Sequence, residues 1–137
     1  MDMTMMKPLP HPTPVTRPFW DGLAHGEVRV QQCTECKTWV FYPRSHCNGC
    51  LSDQLEWRTV SGAATLVSFT ITRQPTAPMF ADEMPQRIAV VELAEGVRMT
   101  STLVDVADDE IKVGMSLRPV FDAVSEDITL LRFTPVR

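Results

Sequence analysis

Cys33-x-x-Cys36 and Cys47-x-x-Cys50 are the residues of this 137-residue chain whose types and spacing could do chemistry. Two thiol pairs with ten residues between them can converge on one ion as a tetrahedron, and thiolates are soft ligands suited to zinc. The chain has four cysteines, so the set closes with none left over. A secreted disulfide scaffold would need an export signal, and Met1 to Thr16 contains no continuous apolar core of the required length. A redox pair normally uses a single Cys-x-x-Cys beside a βαβ pattern, which is not evident here. The expectation is therefore a structural four-thiolate zinc site. Glycine usually follows the second cysteine of such a knuckle because it tolerates positive φ; Lys37 and Leu51 stand there instead. His46, next to Cys47, is an alternative ligand, although four sulfurs already fill a tetrahedron. His11 and His25 have no partner pattern and read as solvated.

A closed four-thiolate sphere has no open position for a substrate, which marks a structural rather than a catalytic site. The chain shows no Ser-His-Asp or His-Glu-x-x-His pattern, and Asp108, Asp109 and Glu110 read as a solvated cap in a polar turn. Independent catalysis is not expected. The net charge of −4, with ten Arg and three Lys scattered along the chain, argues against nucleic acid, whose affinity comes largely from phosphate neutralisation. A nucleic-acid-binding module nevertheless remains the competing function, since zinc ribbons and small barrels both serve there. It would need exposed aromatics for base stacking. The candidates are Phe69, Phe80, Phe121 and Phe133, and Phe69 is expected to face inward. No run of eighteen apolar residues is present, so no membrane span is expected. Reduced thiols without an export signal imply a cytoplasmic location.

The elements that must position the thiols are short. Residues 1–16 are rich in Met and Pro and read as an extended arm. Arg17 to Gly26 reads as a helix with Pro18 in its first turn and Gly26 as its left-handed stop. Phe19, Trp20 and Leu23 share one face, a stripe that reads first as core packing; the aromatic pair, taken as exposed beside a Pro-rich arm, also makes these three residues candidates for a partner interface. Val28–Gln32, Trp39–Tyr42 and Leu55–Val60 read as the strands of a ribbon whose turns carry the thiols, completing a unit over residues 17–59. From residue 60 to 137 the chain reads as a β-domain. Val67, Phe69 and Ile71 alternate with Ser68, Thr70 and Thr72, as in a half-buried strand. Pro75, Pro78 and Pro85 make residues 73–85 a loop, with Met79, Phe80 and Met84 as an adaptable apolar surface and Arg73 and Arg87 as candidate phosphate contacts. Ile88–Leu93 and Val97–Val104 form a hairpin turning at Gly96. Ser116–Phe121 and Ile128–Phe133 complete five strands, which fit an oligonucleotide/oligosaccharide-binding (OB) barrel.

A helix bearing Pro18-Phe19-Trp20-Asp21-Gly22-Leu23, the ribbon with Val30-Gln31-Gln32-Cys33-Thr34-Glu35-Cys36, and Tyr42-Pro43-Arg44 belong to a combination with a known parallel. So do Leu55-Glu56-Trp57, Ser61-Gly62, Val67-Ser68-Phe69-Thr70, Val90-Val91-Glu92-Leu93, Val113-Gly114-Met115 and Leu131-Arg132-Phe133. Over roughly Arg17 to Phe133 the chain resembles the zinc-ribbon/OB-fold acyl-CoA-associated proteins of domain of unknown function 35. The resemblance implies a mainly β fold: a short N-terminal helix, a rubredoxin-like four-cysteine zinc ribbon and a five-stranded OB barrel. It implies a non-catalytic subunit of a thiolase-like partner, a thiolase or a retro-aldolase, and in some members a hotdog-fold hydratase. Such a subunit helps to shape the partner's acyl-CoA entrance. Lys37 and Leu51 depart from the family's glycines.

Overall fold

The computed structural model describes residues 9–74, 78, 82 and 85–136. Residues 1–8 of the expected arm, and Met79, Phe80 and Met84 of the expected loop surface, lie outside the described residues.

A three-stranded antiparallel ribbon comprises β1 (Val28–Cys33), β2 (Trp39–Val40) and β3 (Leu55–Val60), in the order β2-β1-β3. A second, five-stranded sheet comprises β4 (Ala64–Thr72), β5 (Gln86–Leu93), β6 (Arg98–Thr102), β7 (Ser116–Ala123) and β8 (Thr129–Pro135). Its order is β6-β5-β4-β7-β8. The seam between β6 and β8 closes it into a barrel. Leu103 bridges Phe133, the Val104 N–H donates to the Phe133 carbonyl at 2.9 Å, and the Ser101 hydroxyl donates to the Leu131 carbonyl at 2.7 Å. This order and closure are those of an OB fold. The hairpin expected at Gly96 is present, with that glycine at φ +94°.

Helix α1 (Arg17–Ala24) carries Pro18 in its first turn and ends where Gly26 takes φ +74°. There the Glu27 N–H donates to the Gly22 carbonyl at 2.8 Å, satisfying a carbonyl of the last turn. Eight residues are too few to hold a helix alone, so tertiary packing must stabilise it. Phe19 and Leu23 are 4% and 1% exposed, against β1, β7 and β8. The expected exposed aromatic pair is thereby corrected. Phe19 is a core residue, and only Trp20 keeps partial exposure.

Two further expectations change. β2 is only two residues long, because Phe41 and Tyr42 leave the sheet and stack edge-on against Phe19, at ring distances of 5.5 and 6.0 Å. In β4 a bulge moves the register from Leu66↔Val91 to Ser68↔Val90, so Val67 drops out of the ladder and strict alternation fails. Leu66 takes the core position at 1% exposure, while Phe69, opposite buried Ala89, is 38% exposed.

Val28 and Val30 of the ribbon share one core with Leu66, Val91, Leu117 and Phe133 of the barrel. Each such side chain contributes about 2 kcal/mol on burial. The base of the ribbon is thus held by the barrel. Its tip is not: there the buried apolar cluster is only Cys33, Val40 and Cys47, flanked by Leu55.

Candidate functional site

The four cysteines meet at the ribbon tip, their sulfurs all within 4.8 Å of one another. Cys33 Sγ lies 3.6 Å from Cys50 Sγ, and Cys36 Sγ lies 3.5 Å from Cys47 Sγ. A tetrahedron of metal–sulfur bonds of about 2.3 Å has edges of about 3.8 Å, so the cluster has the size such an ion needs. Each knuckle is a tight turn closed by a backbone bond. The Lys37 N–H donates to the Cys33 carbonyl at 3.0 Å, and the Leu51 N–H donates to the Cys47 carbonyl at 2.9 Å. The amides of Cys36 and Gly49 donate to Cys33 Sγ (3.5 Å) and Cys47 Sγ (3.2 Å), contacts that orient the sulfurs and stabilise negative charge on them. His46 instead contacts the Ser45 hydroxyl at 3.0 Å.

The electrostatics also suit a cation. The Thr38 hydroxyl, 3.1 Å from Cys36 Sγ, together with the Thr38 backbone, lowers the Cys36 thiol to about 6. At Cys50 the Ser52 backbone acts downward, but Cys36, then burial, then Cys33 and Cys47 outweigh it and push the group up to about 12. A thiolate is thus favoured at Cys36 and resisted at Cys50, where burial and the neighbouring thiols hold the proton on. A coordinated cation removes that resistance and stabilises all four thiolates.

Lys37 and Leu51, the non-glycine residues after each knuckle, both take left-handed backbone, at φ +66° and +65°. The knuckle geometry survives without glycine, at the cost of backbone strain of about 1 kcal/mol at each position. Replacing either by glycine removes that strain, partly offset by the greater freedom of the unfolded chain. Lys37→Gly and Leu51→Gly should each stabilise the metal-loaded protein by about 0.5 kcal/mol, and the pair should raise the melting midpoint by about 3 °C. A lower midpoint in calorimetry would contradict the strained-knuckle account.

Next to the ribbon, a cleft of about 350 Å³ opens between α1 and the β6–β8 seam. Its aromatic wall is Phe19, Trp20, Phe41 and Tyr42; Met99 and Leu131 face them. The Trp20 indole N–H donates to the Tyr42 hydroxyl at 3.1 Å. A second, polar hollow of about 370 Å³ contains Arg87, Asp105, Asp122 and Arg132, and shares Thr102 and Arg132 with the first. Arg132 donates to Asp122 Oδ2 and to the Thr102 hydroxyl, both at 2.7 Å. Arg87 lies 2.7 Å and Arg73 3.8 Å from Asp108. Asp108 is therefore an ion-pair acceptor for two arginines rather than part of a purely solvated cap. The ligand candidates Arg73 and Arg87 meet at this carboxylate, whereas Met79 and Phe80 lie outside the described residues. Sequence reasoning missed Phe41, Tyr42 and Arg132 as cleft residues. The one signal for Arg132 was a charge set between Leu131 and Phe133 in an apolar strand.

The fold and the site define a rubredoxin-like four-cysteine ribbon fused to an OB barrel. Residues 20–56 match the ChsH2 rubredoxin-like zinc ribbon domain, and residues 57–122 match the ChsH2 C-terminal OB-fold domain. A DUF35 domain-containing scaffold protein of Methanothermobacter thermautotrophicus is 35% identical over 97 residues, 70% of this chain and 72% of that protein. The chain belongs to the DUF35 family. A probable enoyl-CoA hydratase alpha subunit of Thermomonospora curvata is 34% identical over 120 residues, 85% of this chain; the chain spans 36% of that protein's length. A chain of the solved Ltp2-ChsH2(DUF35) aldolase superposes with a TM-score of 0.81 at 28% identity, covering 93% of this chain and 98% of that one. Among the described residues, no helix is long and apolar enough to cross a membrane.

Proposed function

We propose that this chain is a non-catalytic accessory subunit of an acyl-CoA-processing complex, organising a thiolase-like partner that carries out thiolysis or retro-aldol cleavage. The observation that carries this reading is the near end-to-end superposition, 93% of one chain on 98% of the other, with a chain of the Ltp2-ChsH2(DUF35) aldolase. The likeness to a probable enoyl-CoA hydratase alpha subunit makes a hydratase, of hotdog fold, the other partner class. Cys33, Cys36, Cys47 and Cys50 would hold one structural zinc ion, whose role is to order the ribbon tip in a reducing, cytoplasmic compartment. Phe19 and Leu23 anchor α1 through their buried side chains, and Trp20 offers the exposed part of α1 to the partner. Arg73 and Arg87, gathered at Asp108 beside the polar hollow, are the candidate contacts for the phosphates of CoA.

Co-expression of the tagged full chain with the enzymes encoded beside it tests the reading. The expected result is co-purification of a thiolase-fold or hydratase subunit, together with acyl-CoA turnover that neither component shows alone. Recovery of the chain without either class of enzyme would sink it.

A further inference from the structure

The barrel has one strand edge that is built differently from the others. β4 pairs with β5 along residues 64–72, but with β7 only at Ala64↔Leu117 and Thr65↔Ser116. The Leu66 backbone is still satisfied on that side, by Met115 and Gly114. Beyond it, residues 67–71 have no strand partner on their β7 side among the described residues. Ser68, Phe69 and Thr70 in this run are exposed.

Open edges invite pairing with another chain, and proteins ordinarily blunt them with charge, proline or brevity. The other edges here follow that rule. The outer edge of β3 carries the Glu56–Arg58 ion pair at 2.9 Å. The facing run of β7 contains Arg118, Pro119 and Asp122. β2 is two residues long, and β6 runs into the seam with β8. The β4 edge has neither charge nor proline: residues 61–72 contain no charged side chain and no proline, and its one irregularity, the bulge at Val67, lies at the start of the open run. Its β-branched and aromatic composition is that of a strand suited to pairing.

We infer that the open edge of β4 pairs antiparallel with the same edge of a second copy of this chain, joining two barrels through one continuous sheet. A twofold pairing opposes a neutral edge with an identical neutral edge, so no charge is desolvated or repelled. The nearest charge is Arg73. Pairing centred on Phe69 sets the two Arg73 residues roughly 26 Å apart along the ladder, well beyond the screening length of about 8 Å. Because both copies use the same edge, the contact closes as a dimer and does not propagate into a fibre. Phe69, 38% exposed in one copy, then meets its twofold mate.

The test uses the full metal-loaded chain and the variant Ser68→Lys/Thr70→Lys, which places charge at two exposed positions of the edge without touching the core. Sedimentation equilibrium over a concentration series should show a monomer–dimer equilibrium for the natural chain, weakened at least tenfold in the variant. Hydrogen exchange should show amides within residues 67–71 gaining protection as concentration rises. Circular dichroism of the variant should match the natural chain; if it does not, the exchange pattern of the natural chain decides alone. A natural chain that stays monomeric throughout, or a dimer that gains no protection at this edge, overturns the proposal. A monomeric natural chain whose partner enzyme is lost on making the variant also overturns it, and assigns the edge to a strand of that enzyme.

Discussion

Removing the metal from the purified full chain by chelation should unfold the ribbon tip, residues 33–55, and leave the barrel folded. The tip encloses only Cys33, Val40 and Cys47 with Leu55 alongside, and burial of Val40 is worth about 2 kcal/mol. Ordering the backbone of the tip costs conformational entropy that so small a cluster does not offset. Metal binding supplies folding free energy where no preformed core exists, so the ion decides whether the tip is ordered. The barrel does not depend on it, since Leu66, Val91, Leu117 and Phe133 form their own core, with Val28 and Val30 holding the ribbon's base. Hydrogen exchange after chelation should therefore lose protection at residues 33–55 and keep it at Val91 and Phe133. Cys47→Ser should reproduce the pattern, because a hydroxyl is a poor substitute for a soft, buried thiolate. Acid should do the same, as protons compete with the metal for the sulfurs. A metal-free protein that keeps full protection at the tip would falsify the structural role of the site; loss of the whole fold would show the two cores to be one cooperative unit.

The second large effect is expected at Gly62, between the ribbon and the barrel. Its φ of +80° is left-handed, and a Cβ there would lie 2.7 Å from Pro119 Cγ and 3.2 Å from Val28 Cγ2. Gly62→Ala combines a left-handed alanine, about 1–2 kcal/mol, with overpacking between a ribbon strand and a barrel strand, about 1–3 kcal/mol. The sum, about 3 kcal/mol, should lower the melting midpoint by roughly 10 °C. Gly96→Ala is the control. Its φ of +94° is also left-handed, but nothing lies within 4 Å of its Cβ position, so it should lose only the conformational part, about 1 kcal/mol. Equal losses in the two variants would mean that the ribbon is not pressed against the barrel at Gly62.

Different parts of the molecule were legible in the sequence for different reasons. The strands β3 and β5 and the hairpin at Gly96 are signalled by neighbouring residues, and they appear close to where periodicity and turn chemistry place them. β4 misled in detail. One extra residue at Val67 shifts the ladder, so an unbroken alternation puts the wrong side chain in the core. Phe19 and Trp20 are adjacent on a helix whose amphipathic face is clear in the sequence. Which aromatic is buried depends on Phe41 and Tyr42, which arrive from a different segment. Asp108 resembled a solvated carboxylate because Arg73 and Arg87 are distant in sequence and meet it only through the barrel.

The sequence by itself determined the four-thiol cluster, the capped helix and the succession of strands, because each follows from spacing or backbone preference over a few residues. It also determined the neutrality of residues 61–72, though not its meaning. Only the tertiary structure decided that Lys37 and Leu51 adopt the glycine-like backbone of the knuckles, that ribbon and barrel share a core, and that an aromatic cleft opens between α1 and the β6–β8 seam. It alone left part of β4 as an open edge among the described residues. These features depend on which segments meet and how closely, and packing settles that only when the whole chain has folded.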